Sequence, residues 1–355
     1  MMMIIDSHLD LSWNALNWKR DLTKTIDELR RSEAGMMDRK RGHNTVSFPE
    51  MKKAGVGVCL ATVLARCSEL QDPQLDYPNR EIASAMGVGQ VEYYRLMESQ
   101  GHMRMLRDWP ALESHAAEWQ RKGGEGVPLG YILAMEGADP ILEPDQVALW
   151  WERGLRVIEP VHYGVSYYAH GTGAPGGLTS KGRELLAKME SVGMILDVTH
   201  LADDSFWQAI EVYHGPVLAS HHNCRALVPG DRQLTDEQIR ALVRREAVIG
   251  AAFDSWMLYP GYVAGKTDNS EVSMERVIDH IDHVCQLAGS TRYSAIGSDL
   301  DGGFGTEQSP RELNTIADLQ VVGELLMKRG YDTGDIEGIM HANWLRFFQK
   351  AWTKG

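Results

Sequence analysis

The chain has 355 residues, 43% of them apolar, which is enough for one large core. A formal charge of −13 leaves no basic surface for tracking a phosphate backbone, so nucleic-acid roles are disfavoured and small-molecule chemistry is favoured. The cysteines, Cys59, Cys67, Cys224 and Cys285, are scattered without the pairing of a zinc ribbon or a disulfide scaffold. No stretch reads as a signal peptide or a bilayer span, and the cytoplasm is the expected compartment.

The first apolar run, "MMIIDSH", predicts a buried strand, and positions two apart on a strand share a face, so His8 and Asp10 point the same way. "VGVCLATVLA" predicts the next strand. From about Arg66 to Lys122 the pattern is mainly helical, and with no Pro/Gly/Ser-rich linker on either side it reads as an insertion, not a second domain. "PLGYILAMEG" and "LRVIEPVHYG" predict two more strands. "TSKGRELLAKMESVG" predicts an amphipathic helix capped by Thr179 or Ser180. "GMILDVTH" and "GPVLASHH" follow as strands, then "LTDEQIRALVRREA" as a helix with Thr235 ahead of an acidic first turn. "AVIGAAFD" and "YSAIGSD" bring the strand-like runs to eight. Strands alternating with helices in that number predict an α/β fold, a (β/α)8 TIM-like barrel formed by residues 1–355 as a single domain.

The strands stop on particular residues. The predicted strand ends carry His8, Asp10, Glu136, His162, His200, His221 and Asp299, all able to ligate metal. In a parallel barrel those ends meet on one rim. Imidazole with carboxylate suits zinc and related divalent ions, and a carboxylate such as Glu136 can bridge two of them, which predicts metal-assisted hydrolysis. His222 is expected to face the other side of its strand, and His214, His280 and His283 to be solvated. Asp197 and Asp254 are candidates for orienting imidazoles or for buried, amide-capped carboxylates. Tyr163, Tyr167, Tyr168 and Trp256 suit packing or a pocket wall. "HGTGAPGGLTS" lacks a phosphate-loop signature and reads as a flexible loop over the barrel mouth.

In "DSHLDL", "GLTSKGRELLAKMESVGMILDVTH", "PVLASHHNCRALVPGDRQLTDEQIRAL" and "AIGSDLDG" the chain resembles the membrane-dipeptidase (renal dipeptidase) family, peptidase family M19 of the amidohydrolase-like barrels, over essentially its whole length. The resemblance implies two zinc ions. His8, Asp10 and Glu136 would hold one, Glu136, His200 and His221 the other, with a bridging hydroxide or water. It matches His162 to a histidine that contacts the substrate and developing oxyanion. Arg232 matches an arginine that engages the substrate's carbonyl or carboxylate region. Asp299 matches the carboxylate that shuttles a proton to the leaving amine, with Asp301 ranked second. The implied activity is hydrolysis of dipeptides, including L-Xaa-D-Xaa; the alternative is another small amide or ester, such as an N-acyl amino acid or a lactone. The implied partners are a small dipeptide-like substrate and a second copy in a homodimer, with no nucleic acid and no membrane. Trp150-Trp151 suits either a dimer interface or packing of the outer helices.

Overall fold

The computed structural model describes residues 2–36 and 41–353. The apolar runs form strands β1 (Ile4–Leu9), β2 (Val56–Leu64), β3 (Met103–Met105), β4 (Leu129–Glu136), β5 (Leu155–Glu159), β6 (Ile195–Asp197), β7 (Val217–Leu218), β8 (Ile249–Ala251) and β9 (Ser294–Ile296). Every residue of β1, β2, β4 and β5 is buried, as in a parallel sheet covered by helices on its outer face and filled within. The pairings are parallel throughout and run β7-β6-β5-β4-β2-β1-β9-β8. The two ends of this sheet meet at a bridge between Ala219, one residue past β7, and Ile249 of β8. Ala219 N donates to Val248 O at 3.1 Å and Gly250 N to Ala219 O at 2.9 Å. The expected (β/α)8 barrel results.

Between the strands, the helix Ser180–Val192 begins where Thr179 Oγ1 accepts from Gly182 N, and Asp236–Arg244 begins at a capping box between Thr235 and Gln238. The segment after β2 holds the expected helices, Arg80–Ser99 and Trp109–Lys122, together with β3, which the sequence pattern did not predict. β3 lies beside Leu129–Tyr131 of β4, and β5 takes over from Leu133 onward, so one long strand offers an edge to two short ones. This segment packs on the barrel: the Gln90 amide bonds both Leu64 N and Leu64 O, at 2.8 and 2.6 Å, and Tyr94 OH donates to Thr62 O at 2.7 Å. Trp150 is fully buried and the guanidinium of Arg156 stacks 3.7 Å over Trp151, so this pair packs within the chain. No helix among the described residues is long and apolar enough to cross a membrane.

The barrel narrows where small residues face inward. Ser7 Oγ donates to Ser220 O at 2.5 Å and lies 3.0 Å from Ile296 O, tying β1 to its neighbour β9 and to the segment just past β7 at the closing seam. A Cβ at Gly297 or Gly250 would run into Ser220 O and Ser7 Oγ. Neither partner can yield without breaking this contact. Gly297→Ala is therefore expected to destabilise the fold by about 1–3 kcal/mol, read as a lower urea midpoint with an unchanged m value; an unchanged midpoint would mean the seam has slack.

Candidate metal centre

The barrel delivers its polar side chains with a fixed spacing. His162, His200, His221, Asp254 and Asp299 each lie three residues beyond the last residue of β5, β6, β7, β8 and β9. His8 lies within β1, Asp10 one residue past it, and Glu136 ends β4. Asp10, Glu136, His162, His200, Asp254 and Asp299 line one cleft, with His8 and His221 buried against Glu136, and three of the backbone positions here are left-handed without being glycine: His200, Asp299 and Asp301, with φ of 63°, 60° and 63°. Such strain persists only where the surroundings impose it.

Glu136 Oε1 is the focus. Nε2 of His8, His162 and His221 lies 3.5 Å from it, and Nε2 of His200 3.6 Å. His8 Nε2 is also 3.7 Å from Asp10 Oδ1 and 3.9 Å from Asp299 Oδ1. Three overlapping groups emerge: His8, Glu136 and His221; Glu136, His162 and His200; His8, Asp10 and Asp299. The donors fit a divalent cation on two counts. Ligands about 2.0–2.2 Å from one tetrahedral ion sit roughly 3.3–3.6 Å apart, the spacing of Glu136 Oε1 from each of the four imidazoles, while Asp10 and Asp299 stand slightly farther from His8. His8 Nε2, His221 Nε2 and Glu136 Oε2 are buried with no hydrogen-bond partner among the described residues, a cost that a bound cation would remove.

The surroundings orient these groups. Thr62 Oγ1 bonds Asp10 Oδ1. Thr172 Oγ1 meets His200 Nδ1 at 3.0 Å and Ser220 Oγ meets His221 Nδ1 at 2.9 Å, while Arg66 Nη1 meets His162 Nδ1 at 3.3 Å. Asp197 accepts from Thr199 N, Thr199 Oγ1 and Ser220 N, so it supports the loop that carries the orienting hydroxyl. Burial, reinforced by the positive charge of Arg232, holds His200 and His221 well below the usual histidine range, leaving neutral imidazoles with lone pairs to offer. Burial also depresses His8, but the carboxylates of Glu136 and Asp10 outweigh it and carry the group well above its ordinary value.

Asp299 and Asp301, alternatives in the sequence, take different roles. Asp299 faces the cleft. Asp301 turns away to accept from Asn44 Nδ2, Thr45 N, Thr45 Oγ1 and Val46 N, at 2.5, 2.8, 2.7 and 3.0 Å, with Arg20 Nη1 3.7 Å off. Arg232 lies on the cleft wall, where it donates to His221 O at 2.9 Å and faces His222 Nδ1 at 3.4 Å. The cleft of about 290 Å³ is walled by Trp13, Leu64, Leu70 and Leu75 on one side and by Tyr163, Asp254, Trp256 and Met257 elsewhere.

Of the aromatics that suited packing or a pocket wall, Tyr168 is buried with its hydroxyl on Ile141 O and Tyr167 stacks under Arg80, so these two pack, while Tyr163 and Trp256 line the cleft. Two expectations need revision. His280 is buried and its Nδ1 accepts from Cys224 N at 3.0 Å, because its helical face packs inward. The Gly-rich stretch is tied by bridges Val165↔His170, Ala169↔Leu178 and Gly171↔Leu201. Sequence reasoning passed over Arg66, Asp76, Trp13 and Glu159. Glu159 pairs in register with Glu136 and is buried with neither oxygen hydrogen-bonded among the described residues, and burial with the neighbouring Glu136 and Asp197 raises it well above the usual carboxylate range.

A sequence model of the membrane dipeptidases (peptidase family M19) matches residues 1–354. An uncharacterized protein in the PQQ-III 3′ region of Acinetobacter calcoaceticus is 30% identical over 165 residues, 44% of this chain and about half (51%) of that one. Dipeptidase aclJ of Aspergillus oryzae is 25% identical over 320 residues, 88% of this chain and 71% of that one. A metallo peptidase from Rhodobacter sphaeroides, solved with a phosphinate mimic of the dipeptide L-Ala-D-Ala, superposes with a TM-score of 0.79 at 22% identity over 99% of both chains.

Two outcomes follow from the site's carboxylates. Asp301→Ala leaves several buried donors unpaired and is expected to cost about 2–4 kcal/mol in chemical denaturation; a loss below about 0.5 kcal/mol would show that the 44–46 loop is held otherwise. Burial raises Asp254 to about 7, so its contribution to stability is full below the ordinary carboxylate pKa of about 4 and is lost as pH rises through 7. In the metal-free protein, Asp254→Asn should gain on the wild type in thermal midpoint across that window. A pH-independent difference would refute the shift.

Proposed function

The chain belongs to the membrane dipeptidase family, peptidase family M19, and from that premise we propose that it is a zinc-dependent dipeptidase. The observation that carries this reading is the convergence of four imidazole Nε2 atoms on Glu136 Oε1, two of which, with Glu136 Oε2, are buried and have no hydrogen-bond partner among the described residues. His8, Asp10 and Glu136 would hold one ion, and Glu136, His200 and His221 the other. The hydroxyls of Thr172 and Ser220 suit this assignment, since each can accept an Nδ1–H and so leave Nε2 of His200 and His221 with its lone pair toward the cleft. Bound zinc would supply a water that ionises near neutral pH and would polarise the scissile carbonyl.

The remaining steps fall to the protein's own groups. Arg232 has no carboxylate within ion-pair distance among the described residues and takes the substrate's carboxylate or carbonyl region. His162 faces the carbonyl oxygen, on which negative charge develops as water adds to the carbon. Asp299 takes the proton from the attacking water and returns it to the amine nitrogen as the C–N bond breaks. The ligand of the Rhodobacter sphaeroides enzyme supports an L-Xaa-D-Xaa dipeptide among the substrates. The apolar wall of Trp13, Leu64, Leu70 and Leu75 suits one apolar side chain, or the acyl group of an N-acyl amino acid in the alternative reading. We further read residues 1–355 as one domain, and the four free thiols support a reducing, cytoplasmic setting.

Zinc-loaded protein is expected to release amino acids from L-Xaa-L-Xaa or L-Xaa-D-Xaa dipeptides, to lose this activity to a chelator and to regain it with zinc. Asp299→Asn should keep its metal by elemental analysis while kcat falls by roughly 100-fold or more. Full turnover in that variant would remove Asp299 from proton transfer. A protein that holds two metals and cleaves no dipeptide would move the substrate to another amide or ester.

A further inference from the structure

The imidazoles around Glu136 differ on their far sides. Nδ1 of His200 and of His221 meets a hydroxyl, which accepts or donates as required. Nδ1 of His162 meets Arg66 Nη1 at 3.3 Å. A guanidinium only donates and keeps its charge at any pH the fold tolerates. The Nδ1 of His162 must then be the acceptor, and the proton of the neutral ring must sit on Nε2. That Nε2 points inward, 3.5 Å from Glu136 Oε1.

Arg66 is itself held rigidly. Its Nε and Nη2 donate to the two oxygens of Asp76 at 2.7 and 2.8 Å, and both side chains are about 3% exposed. The same carboxylate accepts from Ser68 N at 3.0 Å and Asp72 N at 2.7 Å, so it also folds the loop that brings Leu70, Asp72 and Leu75 to the cleft wall. With two nitrogens committed to Asp76, the guanidinium plane is fixed and Nη1 is left on His162.

We propose that the Asp76–Arg66 pair sets the tautomer of His162, so that this residue presents an Nε2–H donor to the substrate's carbonyl oxygen and not a lone pair to a metal. Arg66 and Asp76 are positioning residues acting through His162. Although the Nε2 of His162 stands as close to Glu136 as those of the other histidines, its far side disqualifies it as a ligand. The carbonyl oxygen as recipient rests on the dipeptidase reading; the tautomer does not. The arrangement also links recognition to chemistry, because one carboxylate holds both the wall that meets the substrate side chain and the group that orients the donor.

The test is a long-range 1H–15N spectrum of the zinc-loaded, 15N-histidine-labelled holoenzyme, with His162 assigned by its loss in His162→Asn. The expected spectrum shows His162 protonated at Nε2 with a pyridine-like Nδ1. In Arg66→Met the ring is expected to populate the Nδ1–H form, with kcat down by roughly 10–100-fold, a smaller change in KM and unaltered zinc content. Asp76→Asn should shift in the same direction, and Arg66→Lys should recover part of the loss. An Nδ1–H tautomer in the wild type overturns the proposal, as does a His162 signal unchanged in both Arg66→Met and Asp76→Asn. The wild-type spectrum decides the matter even if a variant fails to fold. If no dipeptide is cleaved, the dipeptidase reading falls while the spectrum still rules on the tautomer.

Discussion

Burying Asp10, Glu136 and Asp299 side by side is unfavourable unless positive charge joins them, and the upper barrel is built around that constraint. Glu136 ends the strand whose neighbours are β2 and β5, and its Oε1 lies within 3.6 Å of four imidazole nitrogens. No lysine or arginine is within ion-pair distance of it among the described residues. A divalent cation would offset negative charge of Asp10, Glu136 and Asp299 and give a partner to His221 Nε2 and Glu136 Oε2, which have no hydrogen bond among the described residues. The narrow waist below, where Ser7 ties to Ser220 and glycines stand at 250 and 297, keeps the strand ends close enough for six elements to share one centre.

What distinguishes chemically identical side chains is what stands behind them. A hydroxyl behind an imidazole leaves its other nitrogen free to bind a cation, and a guanidinium behind it makes that nitrogen a donor. The two aspartates of "SDLDG" divide in the same manner. Asp301 is spent on the amides of residues 45 and 46, which leaves Asp299 as the one that reaches the cleft. Membership in the family and the architecture of this centre agree with each other, since His8, Asp10, His200, His221 and Asp299, which lie in the stretches that carry the resemblance, are brought together by the barrel around Glu136.

Much of this was legible in the chain. Apolar, β-branched runs of five or more residues mark fully buried parallel strands such as β2 and β5, and polar residues at their ends mark the rim. β3 escaped because Met103–Met105 is too short to show any period. His280 was misjudged because a lone histidine in a helix reads as polar, whereas the inward face of Glu275–Ala288 buries it. Arg66 and Asp76 carry no sequence signal, since their importance comes from a contact with His162, 96 residues away from Arg66. Glu159 looks like any strand carboxylate until its register against Glu136 is known. Pairwise geometry across the barrel was the missing information, and no local pattern contains it.

The recurring step of three residues from strand to functional side chain, at His162, His200, His221, Asp254 and Asp299, has a bearing on how such a centre can vary. When five groups hang from the same length of backbone, the side chain at one of these positions can be exchanged while its anchor stays where it is, and the remaining groups keep their places. A one-residue insertion in the same stretch would swing that group off the common axis. The fold should therefore tolerate altered letters at these positions better than altered spacing, and a different chemistry on this scaffold would come from exchanging side chains within the same three-residue step.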